Sequence, residues 1–225
     1  MQKIVIKNLS KLYNPNKPNA FYALKNINLE VADGEIVILK GVSGSGKSTL
    51  LSIIGALGKP SEGEILVNEQ NIAKLPDIMS SAYRHKEIGF IFQSFNLLES
   101  LSVYQNILAP LALTSLSKEQ MNEKINTAMS IANIAHKQDQ IVASLSGGEK
   151  QRCAIARALV MDPSIILADE PTANLDRENS LLFIEILKKF KALHKTVIIA
   201  THDVLFDELE CIDRQVHMQD GELLE

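Results

Sequence analysis

The chain has 225 residues, of which 46% are hydrophobic and 22% are charged, and its formal net charge at pH 7 is −4. These proportions are those of an ordinary globular protein, and the slightly acidic balance provides no basic surface for nucleic acid, so no nucleic-acid partner is expected. No stretch approaches the roughly 18 apolar residues of a membrane span, and Cys153 and Cys211 have no companions at metal-ligand spacing, which favours free thiols in the cytoplasm.

The first part of the chain predicts antiparallel strands around a buried central strand. Residues 4–6 open a strand, and the alternating apolar residues of 27–31 predict a second, half-buried one. Turn residues then lead into the apolar strand 36–39, and a further strand is expected at 64–67. Tyr13 precedes a proline-containing loop; its ring is expected to pack against neighbours, with stacking on a ligand base as the alternative.

A glycine-rich stretch follows strand 36–39 and matches the pattern G-x-x-x-x-G-K-[ST] at every fixed position. Its backbone N–H groups can surround an anion, Lys47 supplies positive charge for the β- and γ-phosphates, and the Ser48 hydroxyl can ligate Mg²⁺. An apolar helix follows, with its N-terminus facing the phosphates. The sequence therefore predicts a nucleoside triphosphate site formed by Gly41, Val42, Ser43, Gly44, Ser45, Gly46, Lys47, Ser48 and Thr49.

Residues 88–92 predict another strand, and it ends at Gln93. The amide oxygen of Gln93 could reach a metal-bound water, although the residue alone favours a solvated strand end. The strand signal then disappears from about residue 94 to residue 160. Ser117 and Gln120 have the spacing of a capping box before a helix, so this segment is expected to form a helical subdomain.

A second capping pattern follows in the stretch Leu145, Ser146, Gly147, Gly148 and Glu149. Ser146 and Glu149 have the S-x-x-E relation that begins a helix, and the helix N-terminus together with the serine hydroxyl can bind a second anion. A capped helix without a ligand is the plainer interpretation. The presence of the first phosphate-binding loop makes the anion site the more informative hypothesis.

Two acidic residues and a histidine follow buried strands further along the chain. Residues 165–168 predict a parallel strand that ends in Asp169 and Glu170; Asp169 would hold Mg²⁺, and Glu170 would orient the attacking water. Strand 196–200 carries His202 to the same sheet edge, where it could donate a hydrogen bond to a γ-phosphate. Between these strands, a helix is predicted to bury Phe183, Ile186, Leu187, Phe190 and Leu193.

Taken in order, these motifs strongly resemble the ATP-binding subunit of an ATP-binding-cassette (ABC) transporter over essentially the whole chain. The matching positions are the adenine-stacking aromatic Tyr13, the Walker A loop 41–49, the Q-loop residue Gln93, the signature 145–149, the Walker B strand 165–170, the D-loop 174–176 and the switch histidine His202. Residues 88–98 and 168–172 are most similar to the bacterial subfamily that serves lipoprotein release, macrolide or peptide export, and cell division.

The resemblance implies an α/β fold with a P-loop NTPase (RecA-like) core from residues 1–93 and 157–225, an antiparallel β portion, and an inserted helical subdomain at 94–156. It implies an Mg²⁺-dependent ATPase that powers a separate membrane permease at the cytoplasmic face of the inner membrane. The implied cofactors are ATP and Mg²⁺. Catalytic roles fall to Gln93, Glu170 and His202, and the metal would be held by Ser48, Gln93 and Asp169.

The resemblance also implies a second copy of the chain as a partner. Two cassettes of this family pack head to tail, so that each nucleotide lies between the Walker A loop of one copy and the signature of the other. The residues expected to contact the nucleotide of the opposite copy are Ser146, Gly147, Gly148, Glu149 and Asp176. Departures from the usual pattern are Glu149, Lys150 and Ala173, where Gln, Gln and Gly are frequent; Ala173 could alter communication through the D-loop.

The sequence also bears on other classes of nucleotide-binding protein. The signature and His202 argue against a P-loop kinase. Repair-type cassettes carry coiled-coil or zinc-bearing inserts, and translation-type proteins carry two fused cassettes; neither pattern occurs in the sequence. The expected function is lipoprotein release or export of a macrolide-like or peptide-like substrate, and the open alternative is the cassette of a cell-division regulatory complex that does not transport.

Overall fold

The computed structural model describes residues 2–224 and arranges them as two β-sheets with helices packed on both. The strands are β1 (Gln2–Tyr13), β2 (Phe21–Ala32), β3 (Ile36–Lys40), β4 (Glu62–Val67), β5 (Gln70–Asn71), β6 (Ile88–Ile91), β7 (Ile165–Asp169), β8 (Thr196–Thr201), β9 (Arg214–Gln219) and β10 (Glu222–Leu224). The α-helices are α1 (Lys47–Ile54), α2 (Asp77–Glu87), α3 (Val103–Leu108), α4 (Lys118–Ile131), α5 (Gly147–Leu159) and α6 (Arg177–Ala192). Short 3₁₀ turns occur at Ala109–Leu113, Ala135–Lys137, Val142–Ser144 and Val204–Phe206.

The larger sheet has the strand order β10-β9-β3-β8-β7-β6. All of its neighbouring pairs are parallel except β10 with β9. Strands β3 and β8 are buried along their whole length, as expected for parallel strands whose two faces are both covered. Because parallel strands run in one direction, the residues that follow β3, β7 and β8 meet at the same edge of the sheet.

Each face of the larger sheet belongs to its own hydrophobic core, since successive side chains of a strand point to opposite faces. On one face, Ile166 and Ala168 of β7 join a core with helices α3 to α6, in which Phe183 and Phe190 are almost fully buried. On the other face, Ile165 and Leu167 join a core with helix α1 and the smaller sheet. This arrangement confirms the predicted α/β fold with a P-loop NTPase core.

The smaller sheet is the antiparallel portion, with the order β2-β1-β4-β5. Strand β1 is longer than the predicted 4–6 because residues up to Tyr13 keep pairing with β2, where Tyr13 faces Phe21. The ladder shifts register between Ile6 and Leu9, and Asn8 within that interval has a left-handed φ of 48°. Irregularities of this kind leave no alternating pattern from which to predict the full strand.

The segment between β6 and β7 is helical, with an isolated bridge between Ser102 and Ile141 as its sole β pairing among the described residues. The capping boxes predicted at Ser117 and Ser146 are both present. Helix α5 runs without a break across residue 156 and approaches β6 so closely that a Cβ on Gly89 would lie 2.7 Å from the Ala158 carbonyl oxygen. The division of the chain at residues 94 and 156 stays a prediction.

Two local expectations differ from the structure. Helix α2 has no counterpart in the sequence prediction, because it buries few residues, among them Tyr83, whose hydroxyl donates to the Ile54 carbonyl at 3.0 Å. Leu193, predicted on the buried face of α6, is instead its C-cap residue and is 49% exposed. The helical spacing of apolar residues predicted a buried face that reaches Leu193, but α6 ends at Ala192.

Candidate nucleotide-binding site

A cavity of about 760 Å³ lies at the edge where the parallel strands end. Its lining brings together most of the predicted site, which was drawn from five separate parts of the sequence. The predicted residues among its walls are Tyr13, Ser43, Gly44, Ser45, Gly46, Lys47, Ser48, Thr49, Gln93, Glu170 and His202. Gly41 and Val42 are not part of the lining. Asp169 is also outside it but is hydrogen-bonded to Ser48, which lines the cavity. The residues of the second capping pattern, 145–149, do not line the cavity either.

The glycine-rich loop connects β3 to α1 and leaves its backbone open toward the cavity. Gly44 and Gly46 have left-handed φ angles of 82° and 106°, and a Cβ on Gly46 would lie 2.5 Å from the Ala23 carbonyl oxygen. Glycine is therefore required at residue 46 for both conformation and space. The N-terminus of α1 begins here without a side-chain cap, so its first N–H groups remain free for an anion.

The Lys47 side chain is bonded to carbonyl oxygens at the start of this loop. Its ammonium donates to the carbonyl oxygens of Gly41 at 2.7 Å and Val42 at 3.0 Å. Burial lowers the pKa of Lys47, while the negative charges of Glu170 and Asp169 act in the opposite direction. The ammonium is thus held beside the cavity with carbonyl partners that phosphate oxygens can replace.

Ser48 and Asp169 form a pair of oxygen donors at the floor of the site. The Ser48 hydroxyl donates to Asp169 Oδ1 at 2.9 Å, which joins helix α1 to the end of β7. Burial is the main cause that raises the pKa of Asp169, against the lowering effect of the Ser48 hydrogen bond. Hydroxyl, carboxylate and amide oxygens are the ligands that Mg²⁺ prefers, so Ser48, Asp169 and the nearby Gln93 fit this ion.

Glu170 and His202 are in contact across the ends of β7 and β8. His202 Nδ1 lies 2.9 Å from Glu170 Oε1, and the Thr201 hydroxyl donates to Glu170 Oε2 at 3.1 Å. Glu170 has a left-handed φ of 45°, and its N–H donates to the Ala200 carbonyl at 2.8 Å. Both carboxylate oxygens are therefore oriented by β8, at the mouth of the cavity.

Two further aromatic residues line the cavity beside Tyr13. The rings of Tyr13 and Phe21 are stacked with centroids 5.5 Å apart, and Tyr22 also lines the wall. Tyr13 is 40% exposed, so its ring is available to a planar ligand. Sequence reasoning missed Phe21 and Tyr22; the available signal was that they begin the strand after the proline-containing loop, opposite Tyr13.

The second predicted anion site is well formed but lies outside the cavity. The N–H of Glu149 donates to Ser146 Oγ at 3.3 Å, and Glu149 Oε2 accepts from the Ser146 N–H at 2.8 Å. The hydrogen bond from the Ser146 N–H is the main cause that lowers the pKa of Glu149 to about 2. Lys137 Nζ, which lies 3.1 Å from Glu149 Oε1, lowers it further. Gly148 packs against α6, where a Cβ would lie 1.9 Å from Asn179 Oδ1.

Asp176 is part of the same packing. It is the N-cap of α6, with its side chain accepting from the Asn179 N–H at 2.8 Å, and Asn179 Oδ1 accepts from Arg152 of α5 at 2.7 Å. The beginnings of α5 and α6 are therefore fixed to each other. Ser146, Gly147 and Asp176 are exposed at these helix starts, whereas Gly148 is buried and Glu149 partly buried, and none of the five lines the cavity of its own chain.

The glycine-rich loop between β3 and α1, the acidic end of β7 and the parallel sheet define this protein as a P-loop nucleoside triphosphatase. Residues 24–173 match the family model described as ABC transporter, which is two thirds of the chain. The chain therefore belongs to the ABC transporter family and is one of its ATP-binding cassettes. The expected subfamily agrees with these similarities, because ATP-binding proteins of lipoprotein release are among the relatives.

Three relatives illustrate the match. The chain is 38% identical over 208 residues to the lipoprotein-releasing system ATP-binding protein LolD of Saccharophagus degradans, covering 91% of each chain. It is 36% identical to the methionine import ATP-binding protein MetN of Mannheimia succiniciproducens, covering 99% of this chain and 66% of that one. A dimeric post-hydrolysis structure of a Methanocaldococcus jannaschii ATP-binding cassette, bound to ADP and Pi, has a TM-score of 0.90 and 37% identity, covering 99% of this chain and 97% of that one.

Among residues 2–224, none of the helices combines the length and the apolar character needed to cross a membrane.

The capping box at Ser146 predicts a pH-dependent stability difference between the wild type and Glu149→Gln. A glutamine keeps the box, as Gln120 does with Ser117, but removes the charge. The Glu149 pKa of about 2 lies below the unfolded value, so its contribution is complete above pH 5 and is lost as the pH falls toward 2. We expect the variant to unfold about 1 kcal/mol more easily at pH 7.

Urea unfolding at pH 7 and at pH 4 measures this difference. The free-energy gap between wild type and Glu149→Gln should shrink at the lower pH, since the unfolded carboxylate then begins to bind protons. A gap of equal size at both pH values would contradict the lowered pKa.

Proposed function

We propose that this ATP-binding cassette binds ATP with Mg²⁺ in the cavity at the carboxyl ends of the strands, and that its hydrolysis of ATP powers a separate membrane permease. The observation that carries the proposal is the convergence of three parts at one sheet edge. These are the glycine-rich loop with Lys47, the Ser48–Asp169 pair, and the Glu170–His202 pair. Each part suits a different requirement of MgATP hydrolysis: binding the phosphates, holding the metal ion and orienting the attacking water.

Ser48, Asp169 and Gln93 would hold Mg²⁺, and the ion when bound neutralises phosphate charge and polarises the phosphoryl group. Lys47 exchanges the Gly41 and Val42 carbonyls for phosphate oxygens, which keeps the buried ammonium paired throughout. The N–H groups of residues 43–49 bind the phosphates at the start of α1. Tyr13 stacks on the adenine, with Phe21 behind its ring.

Glu170 acts as the base that orients water and accepts its proton. Its two oxygens accept from Thr201 and contact His202, so the carboxylate is held in one orientation before any substrate arrives. A neutral His202 that donates Nδ1–H to Glu170 has only an acceptor left at Nε2. The Glu170 contact and a hydrogen bond donated to the γ-phosphate therefore compete for the single N–H of a neutral His202.

A second copy of the chain completes the site. The residues around Ser146 lie outside the cavity of their own chain, and contacts between the starts of α5 and α6 hold them in place. They are therefore suited to the nucleotide of a neighbouring cassette. The dimeric post-hydrolysis structure of the archaeal relative supports a homodimer. In this arrangement, Ser146, Gly147, Gly148, Glu149 and Asp176 contact the opposite nucleotide.

The permease places the cassette at the cytoplasmic face of the cell membrane as a peripheral subunit. Lipoprotein release is the favoured task, because relatives named for it match nearly the whole chain. Export of a macrolide-like or peptide-like substrate uses a cassette of the same subfamily, and identifying the copurifying membrane protein distinguishes it from lipoprotein release. A relative named for methionine import matches about equally well, so the cassette by itself does not select the cargo.

Replacing the proposed base tests the hydrolytic step. Glu170→Gln keeps the size of the side chain but cannot accept a proton, so phosphate release should fall at least about 10²-fold while ATP binding is retained. The ATP-bound variant should accumulate as a dimer in analytical ultracentrifugation. Glu185→Gln, at an exposed position of α6, is the control and should behave as wild type. If Glu170→Gln hydrolysed ATP at the wild-type rate, Glu170 would not be the base.

Two serines with identical capping geometry test the dimer contact. Ser146 and Ser117 both accept the N3 N–H at 3.3 Å, so each change to alanine should cost about 1 kcal/mol of unfolding free energy. In a Glu170→Gln background, Ser146→Ala alone should weaken ATP-dependent dimerisation, by about tenfold for one lost hydrogen bond to phosphate. Equal dimerisation by the two serine variants would exclude the proposed contact.

The partner is tested by isolating complexes of the Glu170→Gln variant from membranes of its own host, solubilised in mild detergent with ATP. We expect a protein with several membrane spans to copurify, and its architecture identifies release, export or a cell-division complex. Recovery of soluble partners alone, in a preparation where the ATP dimer is present, would reject the transport role while leaving the ATPase assignment intact.

A further inference from the structure

A buried lysine that the sequence analysis did not single out lies behind the site. Lys40 is the last residue of β3, immediately before the glycine-rich loop, and it is only 7% exposed. Its ammonium donates to the Asp203 carbonyl oxygen at 2.5 Å and forms an ion pair with Asp207 Oδ1 at 2.5 Å. Lys40 is not among the residues that line the cavity.

Both partners of Lys40 belong to one short segment, residues 202–207, which we call the His202 loop. The loop follows β8 and includes the 3₁₀ turn Val204–Phe206. A buried ammonium is costly to leave unpaired, so this lysine opposes any movement of the loop away from the end of β3. If the ion pair breaks, Asp207, which is 43% exposed, can be hydrated, whereas the buried Lys40 cannot. The free-energy cost of moving the loop therefore comes from the unpaired lysine.

The His202 loop has a second set of attachments on the side of β7. Asp203 Oδ2 accepts from the buried Thr172 hydroxyl at 2.8 Å, and the Asp203 N–H donates to Thr201 Oγ1 at 3.0 Å. The same Thr201 hydroxyl donates to Glu170 at 3.1 Å. A continuous set of contacts therefore connects Lys40, through Asp203, to the carboxylate that contacts His202.

From this arrangement we propose that Lys40 is a positioning residue for ATP hydrolysis. It fixes the His202 loop to the strand that carries the phosphate-binding loop, and so sets the position of His202 relative to Glu170 and the γ-phosphate. The inference rests on the proposed function, in which Glu170 and His202 assist hydrolysis. Because Lys40 touches neither the cavity nor the nucleotide, its effect is on turnover and not on ATP affinity.

Lys40→Met is the first test, because methionine fills the space of the apolar stem without the charge. We expect kcat for phosphate release to fall about tenfold or more, as misplacement of a reacting group does, with KM and the calorimetric Kd for ATP within about twofold of wild type. A wild-type kcat, or a loss confined to KM, would overturn the proposal.

Lys191→Met is a matched control at the opposite edge of the sheet. Lys191 also pairs with one carbonyl and one carboxylate, those of Gly34 and Asp213, but these lie before β3 and β9 and far from the cavity edge. Its replacement should affect unfolding without changing kcat. Equal losses of kcat in both lysine variants would indicate a general effect on stability and would reject a positioning role.

A double-mutant cycle with His202→Ala separates this inference from the proposed function. If Lys40 acts through His202, the double variant should be no slower than His202→Ala alone, whereas a merely structural lysine gives multiplied losses. Wild-type turnover by His202→Ala would defeat the proposed role of that histidine. Impaired turnover by His202→Ala with normal turnover by Lys40→Met would defeat the positioning role alone.

Should Lys40→Met fail to fold, Asp207→Asn replaces it in the same cycle. The asparagine keeps the shape and one acceptor oxygen but removes the charge that holds the loop. We expect a smaller loss of kcat, about threefold, with unchanged ATP affinity and no additional loss in the His202→Ala background. Unchanged kcat in a folded Asp207→Asn protein would overturn the proposal by this route.

Discussion

The register of the parallel strands is the constraint on which the rest of this structure depends. Lys40 is paired with Thr201 across β3 and β8, and Asp169 with Ala200 across β7 and β8. These polar residues therefore lie side by side at the carboxyl ends of the strands, directly after the apolar residues that face the two cores. Displacement of one strand by a single residue would exchange the side chains that point into the two cores, so the packing on both sides holds this alignment.

The alignment explains why polar groups are close together without solvent between them. Asp169 is paired with Ser48, Glu170 with Thr201 and His202, and Lys40 with the His202 loop. Each pair joins two different elements of the sheet edge. The proposed catalytic groups are therefore oriented by secondary structure that the hydrophobic cores already fix.

The same rigidity keeps the residues around Ser146 away from the cavity of their own chain. The N-terminus of α5 is fixed to α6 through Gly148, Arg152 and Asn179, away from the cavity of its own chain. A helix N-terminus in that position, with the exposed Ser146 as its cap, is suited to another molecule. It follows that ATP binding and association of two cassettes are expected to be coupled, because each nucleotide can contact both copies only in the dimer.

Relatives named for lipoprotein release and for methionine import match this chain at similar identity. The cavity accounts for that breadth, since the groups that line it suit phosphate, metal ion and a base, and none is suited to a transported cargo. Cargo selection is therefore expected to lie in the membrane partner. In the proposed function, the cassette contributes a change of association state to its membrane partner.

By itself, the sequence determined the features that depend on neighbours within a few residues. These include the glycine-rich loop, the buried strands that deliver Asp169 and His202, and the capping boxes at Ser117 and Ser146, each recognisable because its pattern is local. The tertiary structure decided which of them meet, since contacts between distant segments leave no local pattern. Only the fold placed Phe21 against Tyr13 and the His202 loop against Lys40. It also separated Ser146 from its own cavity, because the start of α5 is joined to the start of α6 through Arg152, Gly148 and Asn179.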